Sequence, residues 1–122
     1  MTTFAEFVEA KPSKDEAKAL IQKYSEMMCE ALILDFKGVN NSKTDGYKFY
    51  IESGRKYNKI IMETGAGSRS VHAFIDKNEG FVYKPASWKA PAKIIRFRLL
   101  DEASRERMFS RIDWAGGYLY VR

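Results

Sequence analysis

Between residues 14 and 36 apolar side chains recur at steps of three and four: Ala17, Leu20, Ile21, Tyr24, Met27, Met28, Ala31 and Leu34. That spacing writes one face of an α-helix. Ser13, three residues before Glu16, has the spacing of a capping box at the helix start, and Gly38 reads as the residue just beyond its end. Thr3 and Glu6 repeat the capping signal and open a short helix over residues 4–10. Pro12 stops it by disfavouring helical geometry at Lys11. From Tyr47 the period becomes two. Tyr47, Phe49 and Ile51 alternate with Lys48, Tyr50 and Glu52, the mark of a half-buried strand. Ser53-Gly54 turns the chain into a second strand over residues 57–63, and the TGAGS stretch at 64–68 connects to a third over 69–76. In the third, Val71, Ala73 and Ile75 are expected on one face, with His72, Phe74 and Asp76 on the other.

Asp76-Lys77-Asn78-Glu79-Gly80 is a hairpin loop, because Asn and Gly tolerate the positive φ such loops need. The return strand, residues 81–84, ends at Pro85, which has no N–H to give a ladder. Residues 86–92, ASWKAPA, read as an irregular arm along a sheet edge, and a strand resumes over 94–100. Asp101 caps a second helix over 102–112 with a narrower apolar face at Ala103, Met108, Phe109 and Ile112. Trp114-Ala115-Gly116-Gly117 then turns into a terminal strand over 118–121. The expected architecture is a single α+β domain spanning residues 1–122, with an antiparallel sheet of about five or six strands and helices packed on one face. Short connections favour antiparallel neighbours over crossover units.

A chain of 122 residues suffices for one real core and is too short for two. Its 45% hydrophobic and 30% charged residues are those of a globular protein. The net charge of +5 is local. Residues 1–44 carry six Lys and Arg against seven acids, residues 45–100 eleven against five, and residues 101–122 four against four. Within the basic middle, residues 81–100 hold Lys84, Lys89, Lys93, Arg96 and Arg98 with no acid, interleaved with Phe81, Tyr83, Trp88 and Phe97. If those cations share a surface they can hold phosphates, while Trp88 and Tyr83 stack on bases. The same residues also suit an ordinary surface strand, with lysine stems packed over a tryptophan that caps the core.

Other constellations point to plain structure. Gly65-Ala66-Gly67-Ser68-Arg69-Ser70 lacks the following helix and the Gly-Lys-Ser/Thr of a phosphate loop. His72, the single histidine, has no nearby nucleophile, and reads as a structural or surface residue. Asp15-Glu16 and Asp101-Glu102 fall in first helical turns, where the dipole accounts for them. Arg105, Arg107 and Arg111, mixed with Glu102 and Glu106, fit a solvated helix face. A lone Cys29 makes neither an internal disulfide nor a cysteine-based zinc site, and fits a reducing cytoplasm. No apolar run reaches bilayer length, and no signal-peptide pattern opens the chain. The pattern implies no cofactor, no metal and no membrane partner.

Residues 67–93, GSRSVHAFIDKNEGFVYKPASWKAPAK, and the ending WAGGYLY at 114–120 resemble a family of small proteins encoded by marine bacteriophages. The likeness lies in the C-terminal half. It implies a viral origin and action in a host cytoplasm, and it carries over no functional residue. The functional expectation is a non-catalytic accessory protein that binds nucleic acid through Tyr83, Lys84, Trp88, Lys89, Lys93, Arg96 and Arg98. The alternative is a protein-interaction module, for a host or viral protein or for a second copy of itself, using edge strands near Pro85 and Pro91 and the aromatic tail.

Overall fold

In the computed structural model the long helix, α1 (Lys14–Asn40), begins where the capping signal places it. The Ser13 hydroxyl accepts a hydrogen bond from the Glu16 amide at 3.2 Å, and its carbonyl accepts from Ala17 at 2.8 Å. The structure describes residues 13–40 and 47–120. The short helix expected over 4–10 lies outside them, as does most of the loop before β1. Gly38 falls inside the last turns of α1 and does not end it. A helical glycine costs about 1 kcal/mol relative to alanine and need not break the helix.

The face of α1 that meets the sheet is rotated from the one the spacing suggested. Ala17, Ile21, Ser25, Met28, Leu32 and Phe36 are buried, whereas Met27 is 40% and Leu34 67% exposed. The helix carries two apolar stripes. The buried one advances by 4, 4, 3, 4 and 4 residues, which tracks 3.6 per turn. The other, Leu20–Tyr24–Met27–Ala31–Leu34, lies on the flank. Tyr24 is half-buried there because Arg105 of the second helix lies 4.3 Å from its ring centre. Ser25 sits on the buried stripe at no polar cost, since its hydroxyl donates to the Ile21 carbonyl at 2.7 Å.

Five strands follow in a meander: β1 (Lys48–Ser53), β2 (Tyr57–Glu63), β3 (Arg69–Asp76), β4 (Phe81–Pro85) and β5 (Pro91–Arg98), all antiparallel and ordered β1-β2-β3-β4-β5. The second helix, α2 (Glu102–Arg111), starts at Asp101, whose carboxylate accepts from the Ser104 amide at 3.0 Å. Ile60, Ala73, Ile75, Val82 and Phe97 meet Ile21, Met28 and Leu32 in the core on the helix side. Register decides what else is there. Ile60 faces Ala73, but Ile61 faces Val71, so His72 is the extra residue of a β-bulge. The bulge turns His72 to the helix side with Ala73, away from Phe74 and Asp76, contrary to simple alternation.

Residues 86–90 form the tip of the β4–β5 hairpin instead of an arm. The Ala86 and Ser87 amides both donate to the Ala90 carbonyl at 3.0 Å, and the Ser87 hydroxyl accepts from Lys89 and Ala90. The chain after Trp114 also differs from expectation. Gly117–Leu119 is a 3-10 turn, not the start of a strand; Gly116 has φ +85°, and the Asp113 carboxylate accepts from the Gly117 amide. Two glycines and an acceptor three to four residues upstream favour the turn over an extended ladder. The tail is tied to α1 by the Trp114 amide donating to Asp35 at 3.0 Å.

The β3–β4 turn is held by Asp76, which accepts from the Asn78 and Glu79 amides, both at 2.8 Å. Gly80 completes it at φ +73°, and a Cβ there would stand 3.2 Å from Ile21 Cγ1. Gly80→Ala is therefore expected to lower stability by about 1–3 kcal/mol. An unchanged denaturant midpoint would contradict this close approach of turn and helix.

Candidate nucleic-acid interface

Successive residues of a strand point to opposite faces. Since Ile60, Ala73 and Val82 face the helices, Tyr57, Lys59, Phe74 and Tyr83 face outward. Phe74 is fully buried even so. Tyr57 meets it edge-on at 5.6 Å, and Lys59 Nζ lies 5.7 Å from its ring centre. Tyr57 also meets Tyr83 edge-on at 6.2 Å, and burial raises the Tyr83 hydroxyl above its ordinary pKa.

Trp88, on the β4–β5 tip, comes over this surface and remains 39% exposed. Lys59 Nζ is 4.9 Å and Arg69 Cζ 5.2 Å from its ring centre. Arg69 also reaches Tyr50, donating from Nε to the hydroxyl at 2.8 Å, and it pairs with Glu52 and more distantly with Glu63. The outer face is thus a layer of aromatic rings with cations above them, a cation–π arrangement. Two acids hold one of those cations in place.

The residues singled out by sequence divide between locations. Trp88, Tyr83 and Arg98 belong to the outer face, with Arg98 Cζ 5.7 Å from the Phe81 ring. Lys89 is exposed at the hairpin tip and Lys93 is exposed on β5. Lys84 alternates to the helix side, where its Nζ lies 4.6 Å from the Tyr120 ring centre. Arg96 is the extra residue of a bulge on β5, half-buried, its Nε enclosed without a hydrogen-bond partner. The five cations of residues 81–100 do not converge. Sequence reasoning missed Lys59, Arg69, Tyr50 and Tyr57. The outward positions of β2 and β3 carried that signal, once alternation was followed beyond the basic block.

His72 is buried, with its Nε2 2.7 Å from the Tyr118 hydroxyl and Phe49 edge-on at 5.9 Å. Burial pushes its pKa down to about 4 against the opposing pull of Asp113, so the ring is neutral at pH 7. Asp76, bound to its own turn, is no partner for it. Cys29 is half-buried, its thiol pushed up to about 12 by burial and by Glu26 and Glu30, so it stays protonated. Among the described residues no three His, Cys, Asp or Glu side chains gather where they could hold a metal ion. No helix among them is long and apolar enough to cross a membrane.

A model of a family of unknown function, DUF7717, matches residues 4–121. The chain belongs to that family. The match takes in the helical N-terminal part as well as the C-terminal half. No curated protein and no solved structure matches the chain. DUF7717 membership brings no activity with it, so the chemistry has to be read from the geometry. The outer face sets the partly exposed Trp88 ring beside Lys59 and Arg69 and also carries Arg98, with Lys89 exposed at the hairpin tip.

Proposed function

We propose that this chain is a small non-catalytic accessory protein that binds single-stranded nucleic acid across the outer face of its sheet. One observation carries the reading: Trp88, partly exposed, stands between a lysine of β2 and an arginine of β3 on the side of the sheet opposite the helices. Stacking platforms beside cations are what sequence-tolerant binding of unpaired bases requires. A duplex offers no free base faces to such rings. The likeness of residues 67–93 and 114–120 to marine-phage proteins supports a phage-encoded origin and action in the host cytoplasm.

Anisotropy titrations with labelled single- and double-stranded oligonucleotides at two salt concentrations test it. Single strands are expected to bind more tightly, with a log–log salt slope of about −0.7 for each phosphate held. Trp88→Ala is expected to cost about 1–3 kcal/mol of affinity. Lys59→Glu combined with Lys89→Glu is expected to abolish binding at moderate salt. No binding at low salt, or binding indifferent to these changes, would refute the reading.

A second reading is a protein-interaction module. It is favoured by edge strand β5, which leaves Ile94 61% exposed. Light scattering across a concentration series separates the two: self-association abolished by Ile94→Lys, with no oligonucleotide binding, would select it.

A further inference from the structure

The ladder between β3 and β4 is short. Two residue pairs join them, Phe74 with Tyr83 and Ile75 with Val82. Continued in register, Lys84 would face Ala73 and Pro85 would face His72. Neither pairing forms. Pro85 has no N–H to donate and His72 is the extra residue of a bulge, so both causes of the break are local. Beyond it the strands part around a cleft of about 400 Å³, walled by Ser70, His72, Lys84, Trp114, Gly116 and Tyr120. Small-molecule sites run from about 300 to 1,000 Å³.

The chemistry of the wall is legible from one hydrogen bond. Tyr118 is half-buried, but its hydroxyl is enclosed and raised well above the ordinary tyrosine range by that enclosure, and its only partner among the described residues is His72 Nε2. A buried hydroxyl proton needs an acceptor, so Tyr118 donates to Nε2. The neutral imidazole then carries its own proton on Nδ1. Nδ1 has no protein partner among the described residues, and it lies next to Gly116, where a Cβ would stand 3.9 Å away. The cleft thus presents a fixed N–H donor on its wall, the Lys84 ammonium at its rim and the Ser70 hydroxyl, beside the Trp114 and Tyr120 rings. A flat ligand bearing hydrogen-bond acceptors matches this set.

Ser70, Val71 and Pro85 line this cleft and also a second depression that contains Arg69 and Trp88. The gap in the sheet therefore adjoins the surface to which single-stranded nucleic acid was assigned. We propose that the gap between β3 and β4 is a base pocket, which takes one acceptor-bearing nucleobase of the bound strand while its neighbours stack outside. This rests on the nucleic-acid reading and adds sequence preference to it.

His72 is the only histidine, so its ring nitrogens give unambiguous signals in protein labelled with ¹⁵N-histidine. Homopolymers of the four bases, about ten nucleotides long to cover a single-strand site, are titrated with affinity and the His72 resonances followed together. The four affinities are expected to spread by about tenfold or more, as hydrogen-bonded base discrimination gives. The preferred strand alone should shift Nδ1. His72→Ala removes a buried ring and can unfold the protein, so Ala115→Trp, at an exposed position that lines this cleft but not the depression at Trp88, is the working variant. It should erase the spread and leave the Trp88-dependent binding. Equal binding of all four with Nδ1 unmoved would overturn the pocket and leave the outer-face reading standing. Binding of none would overturn both. A shift of Nδ1 by free mononucleotides but by no homopolymer would make the cleft a free-nucleotide site and overturn it as a pocket for strand-bound bases.

Discussion

Ile21→Asp is expected to leave the chain unfolded, while Leu34→Asp leaves it folded with a nearly unchanged melting midpoint. Ile21 is 1% exposed and belongs to the core between α1 and the sheet, with the Gly80 turn pressed against it. Removing the isoleucine forfeits about 1.5–3 kcal/mol of burial. The carboxylate put in its place has no cation or donor to meet, and its desolvation costs several kcal/mol more. A domain of this size has about 5–15 kcal/mol in total. Circular dichroism and a denaturant titration of both variants decide the matter. A soluble Ile21→Asp protein with a cooperative transition near the wild-type midpoint would refute the packing described for α1. Leu20→Asp, on the flanking apolar stripe, should fall between the two because Leu20 is only half-buried.

That contrast shows how far periodicity reads. Spacings of three and four located α1 and its cap, and alternation located β2 and β3 to the residue. What periodicity could not choose was which of two apolar stripes faces inward. That choice depends on where the sheet lies, and the sheet's position depends on contacts such as Ile21 with Gly80, 59 residues apart in sequence. The bulge at His72 is another case. No local feature of SVHAFID distinguishes a regular strand from one with an extra residue. The difference lies in the partner strand, where Ile60 and Ile61 are both fully buried on opposite faces.

The candidate surface was legible in part for the same reason. Trp88 and its neighbouring cations stand out in composition, and Trp88, Tyr83 and Arg98 do lie toward one face. Alternation sends Lys84 away from Tyr83, and a bulge withdraws Arg96. Their places beside Trp88 are taken by Lys59 and Arg69, which arrive from strands distant in sequence. Those two are unremarkable in composition. They matter because the β4–β5 hairpin folds its tip back over β2 and β3, a long-range consequence that Pro85 and Pro91 permit but do not encode.

His72 gives the second large effect, through pH. Its pKa is 6.5 in an unfolded chain and about 4 in the folded one, because burial penalises the cation more than Asp113 favours it. Between those values the unfolded chain binds a proton that the folded chain does not, so stability falls as the solution is acidified. The loss begins near pH 6.5, is complete a little below pH 4, and amounts to about 3 kcal/mol at 1.36 kcal/mol per unit. Tyr118 stays neutral throughout. Carboxylates elsewhere also weaken the fold in acid, so the measurement is a difference. His72→Gln retains a hydrogen-bonding side chain next to Tyr118 and does not titrate. Wild type minus variant stability, from denaturant titrations at a series of pH values, should be constant above pH 7.5 and drop by about 3 kcal/mol by pH 4. A difference independent of pH would mean that the folded ring takes up a proton as freely as the unfolded one. The Tyr118 hydroxyl would then have to find another acceptor, and Nδ1 would no longer be fixed as a donor to the cleft.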